Sequence, residues 1–182
     1  MIASGSTFDG YRILRQIGSG GFGEIWICQS EALGDLRALK FIPSIRAGRM
    51  DKEFHALALY RNAASRLRSP SLMPIEHADV HPDGFFYIMP LADGISQASP
   101  LEADWQPKTL SALIERQKTE LSWFSSQQVG EWIRPILQGL QLLSDAGLVH
   151  RDVKPDNILF LNGSPCLSDR DFQSQEQRCG KL

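Results

Sequence analysis

Two periodicities divide the chain. Between Tyr11 and Ile42, apolar and β-branched residues come in short bursts, which predicts strands at Tyr11–Ile17, Glu24–Cys28 and Leu36–Ile42. Leu72–Ile75 and Phe85–Met89 read as two more, the second preceded by a Pro82-Asp83-Gly84 turn. Elsewhere the spacing is helical. From Asp51 to Leu67 alanine and leucine dominate, and Phe54, Leu57 and Arg61 share one face. Thr109–Ile114 opens a short helix. Ser125 and Gln128 then fit a capping box. Val129, Trp132, Ile133, Ile136, Leu140 and Leu143 follow at three- and four-residue steps, a stripe expected to face the core. Pro135 predicts a kink and Gly147 a stop. Residues 95–108, polar with Pro100 and Pro107, read as a surface loop.

Composition narrows the class. At 182 residues with 42% hydrophobic and 22% charged, the chain suits one globular domain of one or two lobes. A net charge of −2 offers no basic footprint for nucleic acid. Cys28, Cys166 and Cys179 are odd in number and lack metal-ligand spacing, so reduced thiols in a cytoplasmic protein are expected. Neither a signal peptide nor a membrane-spanning apolar run is visible.

Three segments carry candidate chemistry. Gly18-Ser19-Gly20-Gly21-Phe22-Gly23 lies between two predicted strands. In a dinucleotide fold such glycines open a helix. Here they form a hairpin, either a plain turn or one whose backbone approaches phosphates. Lys40, among apolar neighbours, either snorkels to water or reaches the same phosphates. Its place 17 residues after Gly23 favours the second. Finally, His150-Arg151-Asp152-Val153-Lys154-Pro155-Asp156-Asn157 puts a carboxylate, a lysine and an amide on one short loop, the equipment for Mg²⁺-assisted phosphoryl transfer.

That octapeptide resembles the catalytic loop of protein kinases, H-R-D-L-x-x-x-N, with Val153 in the leucine position. Ala38-Leu39-Lys40 resembles V-A-I-K, and the three segments occur in family order. The resemblance is to eukaryotic-like (Hanks-type) serine/threonine protein kinases. It implies an α+β bilobal fold: a five-stranded antiparallel N-lobe sheet with an αC helix, then a partial, mainly helical C-lobe. The implied boundaries are N-lobe 8–89, hinge 90–94, partial C-lobe 95–169 and divergent tail 170–182. By the resemblance, Asp152 accepts the substrate hydroxyl's proton, Lys154 offsets phosphate charge, and Glu53, with Asp51 as the alternative acid, pairs with Lys40. Asn157 and Asp169 would hold Mg²⁺. ATP would lie against Ile17, Gly18 to Gly23, Ile25, Ala38, Lys40, the gatekeeper Met89, Pro90, Ala92 and Leu159. The lysine two residues after Asp152, together with Arg151, points to protein serine/threonine substrates rather than small-molecule phosphotransfer.

The resemblance weakens at the end. Arg170-Asp171 follows Asp169 where the family has Phe-Gly, and residues 172–182 show no activation segment. A truncated kinase domain is therefore expected. Two readings stay open: an active kinase, and a catalytically impaired remnant that binds nucleotide or a protein partner.

Overall fold

Six strands hydrogen-bond into one antiparallel sheet in the order β1-β2-β3-β4-β6-β5. They are β1 (Thr7–Phe8), β2 (Tyr11–Gly20), β3 (Gly23–Ser30), β4 (Leu36–Pro43), β5 (His77–His81) and β6 (Gly84–Pro90). The computed structural model describes residues 2–20, 23–43, 67, 69–168 and 173–174. Within them the sheet has one strand more than the five expected. The addition is β1, joined to β2 through Asp9-Gly10. Both turn residues have positive φ, 44° and 79°, as a tight two-residue hairpin requires.

The strand expected at Leu72–Ile75 begins later, as β5. Pro74 has no N–H to give a ladder, and Leu72 instead makes an isolated parallel bridge to Leu167. The helix expected from Asp51, including Glu53, lies outside the described residues.

Alternation sorts the sheet's two faces. Ile13, Trp26, Cys28, Leu39, Phe41, Phe86 and Ile88 pack with Ile2 and Phe8 into one core. On the other face, register aligns Ile25 with Lys40 and Tyr87, and Ile27 with Ala38 and Met89.

The chain separates into two compact units, Met1–Asp51 with Pro74–Pro107 and Lys52–Met73 with Lys108–Leu182. Residues 95–107 thus pack with the sheet. The polar loop expected there is closed at its base by a Gly94–Pro107 bridge, and it buries Trp105 to 3% exposure. Its polarity hid one large apolar anchor.

The second unit is mainly helical. In α1 (Leu110–Glu120) Thr109 Oγ1 accepts the Ala112 N–H. In α2 (Ser126–Asp145) Ser125 Oγ accepts the Gln128 N–H, as the capping pattern predicted. Pro135 sits inside α2, and Gly147 follows it with φ 75°. The apolar stripe of α2 splits. Ile136 and Leu143 join Leu67, Leu72, Leu148, Ile158 and Leu167 in a second core. Val129, Ile133 and Leu137 are 37%, 50% and 58% exposed. Ile133 and Leu137 lie about 60° and 100° around the helix from Ile136, off the packed face.

Four short strands in two ladders complete the described part of the unit. The strand β7 (Leu148–Val149) leads into the octapeptide. The hairpin β8 (Ile158–Leu161) and β9 (Ser164–Leu167) turns at Asn162-Gly163, both with positive φ. Then β10 (Gln173–Ser174) pairs back with β7. Among the described residues no helix is long and apolar enough to cross a membrane.

Candidate functional site

In the first unit the ladder itself places the candidate groups. The glycine turn is the β2–β3 connection, with Ser19 opposite Glu24 and Gly20 opposite Gly23. Gly21 and Phe22 lie outside the described residues. Gly23 is obligatory for two reasons. Its φ is +113°, and a Cβ would stand 2.3 Å from the Phe41 carbonyl oxygen. Gly18 is different. A Cβ there would meet Ile25 at an ordinary 3.7 Å, so this fold has room for a side chain at that position.

Lys40 is 2% exposed, so it does not snorkel. It sits between Ile25 and Tyr87 in register, with Nζ 5.7 Å from the Tyr87 ring centroid. Burying an ammonium is costly and calls for compensating partners. Tyr87 supplies a cation–π contact, and sequence reading overlooked it. The signal was available: Tyr87 lies two residues before Met89, on the same strand face.

Ala38 and Met89 are opposite one another and both buried. Pro90 ends β6 opposite Arg37. Leu91, Ala92 and Asp93 then leave the ladder. Ile17, Ile25 and Ala92 are half-buried.

In the second unit side-chain hydrogen bonds do the placing. His150 is buried and Arg151 turns the chain with φ +67°, a conformation rare outside glycine. This bend brings Asp152 back toward the 3-10 turn Pro155–Asn157. Asp152 Oδ2 accepts from Lys154 Nζ at 2.7 Å and from Asn157 Nδ2 at 2.8 Å. Asn157 Nδ2 also donates to the Asp152 carbonyl at 2.8 Å.

The hydrogen bond from Lys154 holds the Asp152 carboxyl below its ordinary pKa. Partial burial opposes the shift, and Asn157 adds to it. Asp152 is therefore a carboxylate at neutral pH. Asn157 is 5% exposed, and its carbonyl accepts the Ser168 N–H at 2.8 Å. Ser168 is a second tether that motif reading did not supply. Leu159 bridges Thr109, and the Phe160 N–H donates to the Lys108 carbonyl. Asp169, the next residue after Ser168, lies outside the described set with Arg170 and Asp171.

Asp152, Lys154 and Asn157 are thus one hydrogen-bonded cluster. Ile25, Ala38, Lys40 and Met89 share one sheet face. The pairing of Glu53 with Lys40 rests on a residue that is not described.

Comparison with known proteins fits both halves. The model of the protein kinase domain family matches residues 11–180. That match runs past Asp169, where the sequence resemblance was expected to stop. Serine/threonine-protein kinase PknD of Chlamydia trachomatis is 31% identical over 152 residues, covering 82% of this chain and 15% of that protein. PknD of Chlamydia caviae is 30% identical over a similar stretch. The chain thus spans about one seventh of these curated relatives.

Among solved structures, the PknI kinase domain of Mycobacterium tuberculosis superposes with a TM-score of 0.70 at 22% identity, over 96% of this chain and 63% of that one. A variant of that domain gives 0.73 at 21% identity. The chain belongs to the protein kinase family and has its α+β fold.

Proposed function

We propose that this chain transfers the γ-phosphoryl group of ATP to serine or threonine hydroxyls of a protein substrate. The carrying observation is the Asp152–Lys154–Asn157 cluster. Family membership and the serine/threonine kinase names of the Chlamydia relatives support it.

Each part has a chemical task. Phosphoryl transfer needs positioned reactants and neutralised charge more than covalent help. Asp152, ionised and held by two donors, accepts a hydrogen bond from the substrate hydroxyl and takes its proton as the new O–P bond forms, while the bond from the γ-phosphorus to the β,γ-bridging oxygen breaks and ADP leaves. Lys154 supplies positive charge beside that carboxylate. Lys40 holds the α- and β-phosphates, and the glycine turn offers backbone N–H groups to the phosphate chain. Ala38 and Met89 shape the adenine end, where the Pro90 carbonyl and Ala92 N–H read the base. Glu53 is the proposed partner of Lys40.

The donor set suits Mg²⁺. The Asn157 amide nitrogen is committed to Asp152, which leaves Oδ1, a hard oxygen ligand. Asn157 and Asp169 would hold the ion, and when bound it neutralises charge on the transferring phosphates. Such a reaction places the protein where ATP is abundant, in the cytoplasm.

The test is two-part. Purified chain is titrated with Mg²⁺-ATP by thermal shift, then assayed for labelled phosphate transfer to a basic protein substrate. Binding adds stability as ligand rises above Kd. Expected are a shift that Lys40→Met abolishes and a transfer that Asp152→Asn abolishes. No shift at millimolar ATP would sink the reading. A shift without transfer would favour the impaired remnant.

A further inference from the structure

The loop between Gly94 and Pro107 is built more firmly than a connection needs. Its base is closed by the Gly94–Pro107 bridge and by the Ile95 N–H donating to the Gln106 carbonyl at 3.0 Å. Trp105 folds back onto that base. A Cβ on Gly94 would stand 2.5 Å from the indole Nε1, so only glycine lets the ring seat there.

One residue of β2 grips the loop from the sheet. Arg15 Nη2 donates to the Pro100 carbonyl at 2.8 Å and lies within 3.4 Å of the Trp105 carbonyl. Its guanidinium carbon is 6.0 Å from the Trp105 ring centroid. Register shifts occur on both sides of Arg15, between Ile13 and Arg15 and between Gln16 and Gly18. Bulges of this kind re-aim a side chain. The grip is not cheap, because the Arg15 Nε is buried without a hydrogen-bond partner.

Position in the chain gives the grip its meaning. Arg15 precedes Ile17 and Gly18, where the glycine turn begins. Trp105 seats on Gly94, where the segment from Pro90 ends. Both belong to the same compact unit. The geometry points to Arg15 and Trp105 as positioning residues for nucleotide. They fix the spacing between the adenine-reading residues Pro90 and Ala92 and the phosphate-facing glycine turn. This inference rests on the ATP reading above. Its physical basis is preorganisation: a ligand that spans two contact points binds tighter when their spacing is set beforehand.

That basis predicts a selective loss. Ligands touching both points depend on the latch, and a ligand touching one does not. The test titrates the full chain with ATP, ADP and adenosine, with Mg²⁺ present. Wild type is compared with Arg15→Ala, Trp105→Ala, Trp105→Phe and Gly94→Ala.

Expected is a roughly tenfold weaker Kd for ATP and ADP in both alanine variants at residues 15 and 105, against less than about twofold for adenosine. Trp105→Phe, which keeps an aromatic face for Arg15, stays within about twofold of wild type. A variant combining Arg15→Ala with Trp105→Ala is no worse than either alone, because both break one latch. Gly94→Ala unseats the indole without removing it and gives the same pattern; it carries the test if Trp105→Ala does not fold. Equal losses for all three ligands would mark a merely structural role and overturn the inference. So would unchanged ATP affinity, and both results leave the ATP reading standing. Wild-type chain that binds no nucleotide overturns both.

Discussion

Lys40 and Asp152 are the two ends of the proposed chemistry, and they are held in opposite ways. Lys40 is placed by backbone register. Two neighbouring strands fix it, and its surroundings on the sheet are Ile25 and Tyr87. Asp152 is placed by side chains that are themselves candidate chemistry, Lys154 and Asn157. A ladder-held group tolerates change in its neighbours provided the ladder survives. A group held by polar side chains loses placement and function together.

Substitutions can break this contrast. The largest effect is expected from Asp152→Asn, which removes the proposed base: transfer should fall by about a hundredfold or more while ATP affinity holds. A comparable loss of ATP affinity would mean that the loop and the sheet are not independent. Gly23→Ala attacks the ladder. The new Cβ meets the Phe41 carbonyl, so stability should drop by about 2 kcal/mol or more in urea unfolding, with ATP affinity falling alongside.

Within α2, Ile136→Ala should cost about 2–4 kcal/mol, whereas Ile133→Gln should change stability by less than about 0.5 kcal/mol. Equal costs would contradict the split stripe. Subtlest is Lys154→Ala. The Asp152 carboxyl sits below its ordinary pKa chiefly because Lys154 donates to it. Without Lys154 that pKa rises, so the acid limb of the transfer profile should move to higher pH. In the native chain, the stability Asp152 contributes is present above its unfolded pKa and lost as pH falls through the lower folded value. An unmoved limb would remove Lys154 from that role.

Much of the sheet could be read from the chain, because strands advertise themselves in β-branched runs and glycine-marked turns. Gly23 and Lys40 both stand where those signals put them. The α2 cap was legible for a similar reason, a local pattern with local geometry. Long-range outcomes were not. Spacing alone put Val129 and Ile133 in the core, yet which arc of a helix is covered depends on what packs beside it. The buried Trp105 was invisible because its partners, Arg15 and Gly94, are distant or featureless in sequence. β1 was missed because a two-residue strand carries almost no periodicity. Within the loop, motif order identified Asp152, Lys154 and Asn157. It did not reveal that the Asn157 amide nitrogen donates to Asp152 twice, to the side chain and to the backbone carbonyl.

The near-complete enclosure of Lys40 has a practical corollary. With 2% of the residue exposed, this amine should react slowly with acylating reagents while the sheet is intact, and more slowly still with nucleotide in the proposed site. Mass-spectrometric labelling of lysines would therefore report the first unit's opening as the arrival of a tag on Lys40. Exposed Lys118 would serve as the internal clock, modified at the same pace whether the sheet is open or shut.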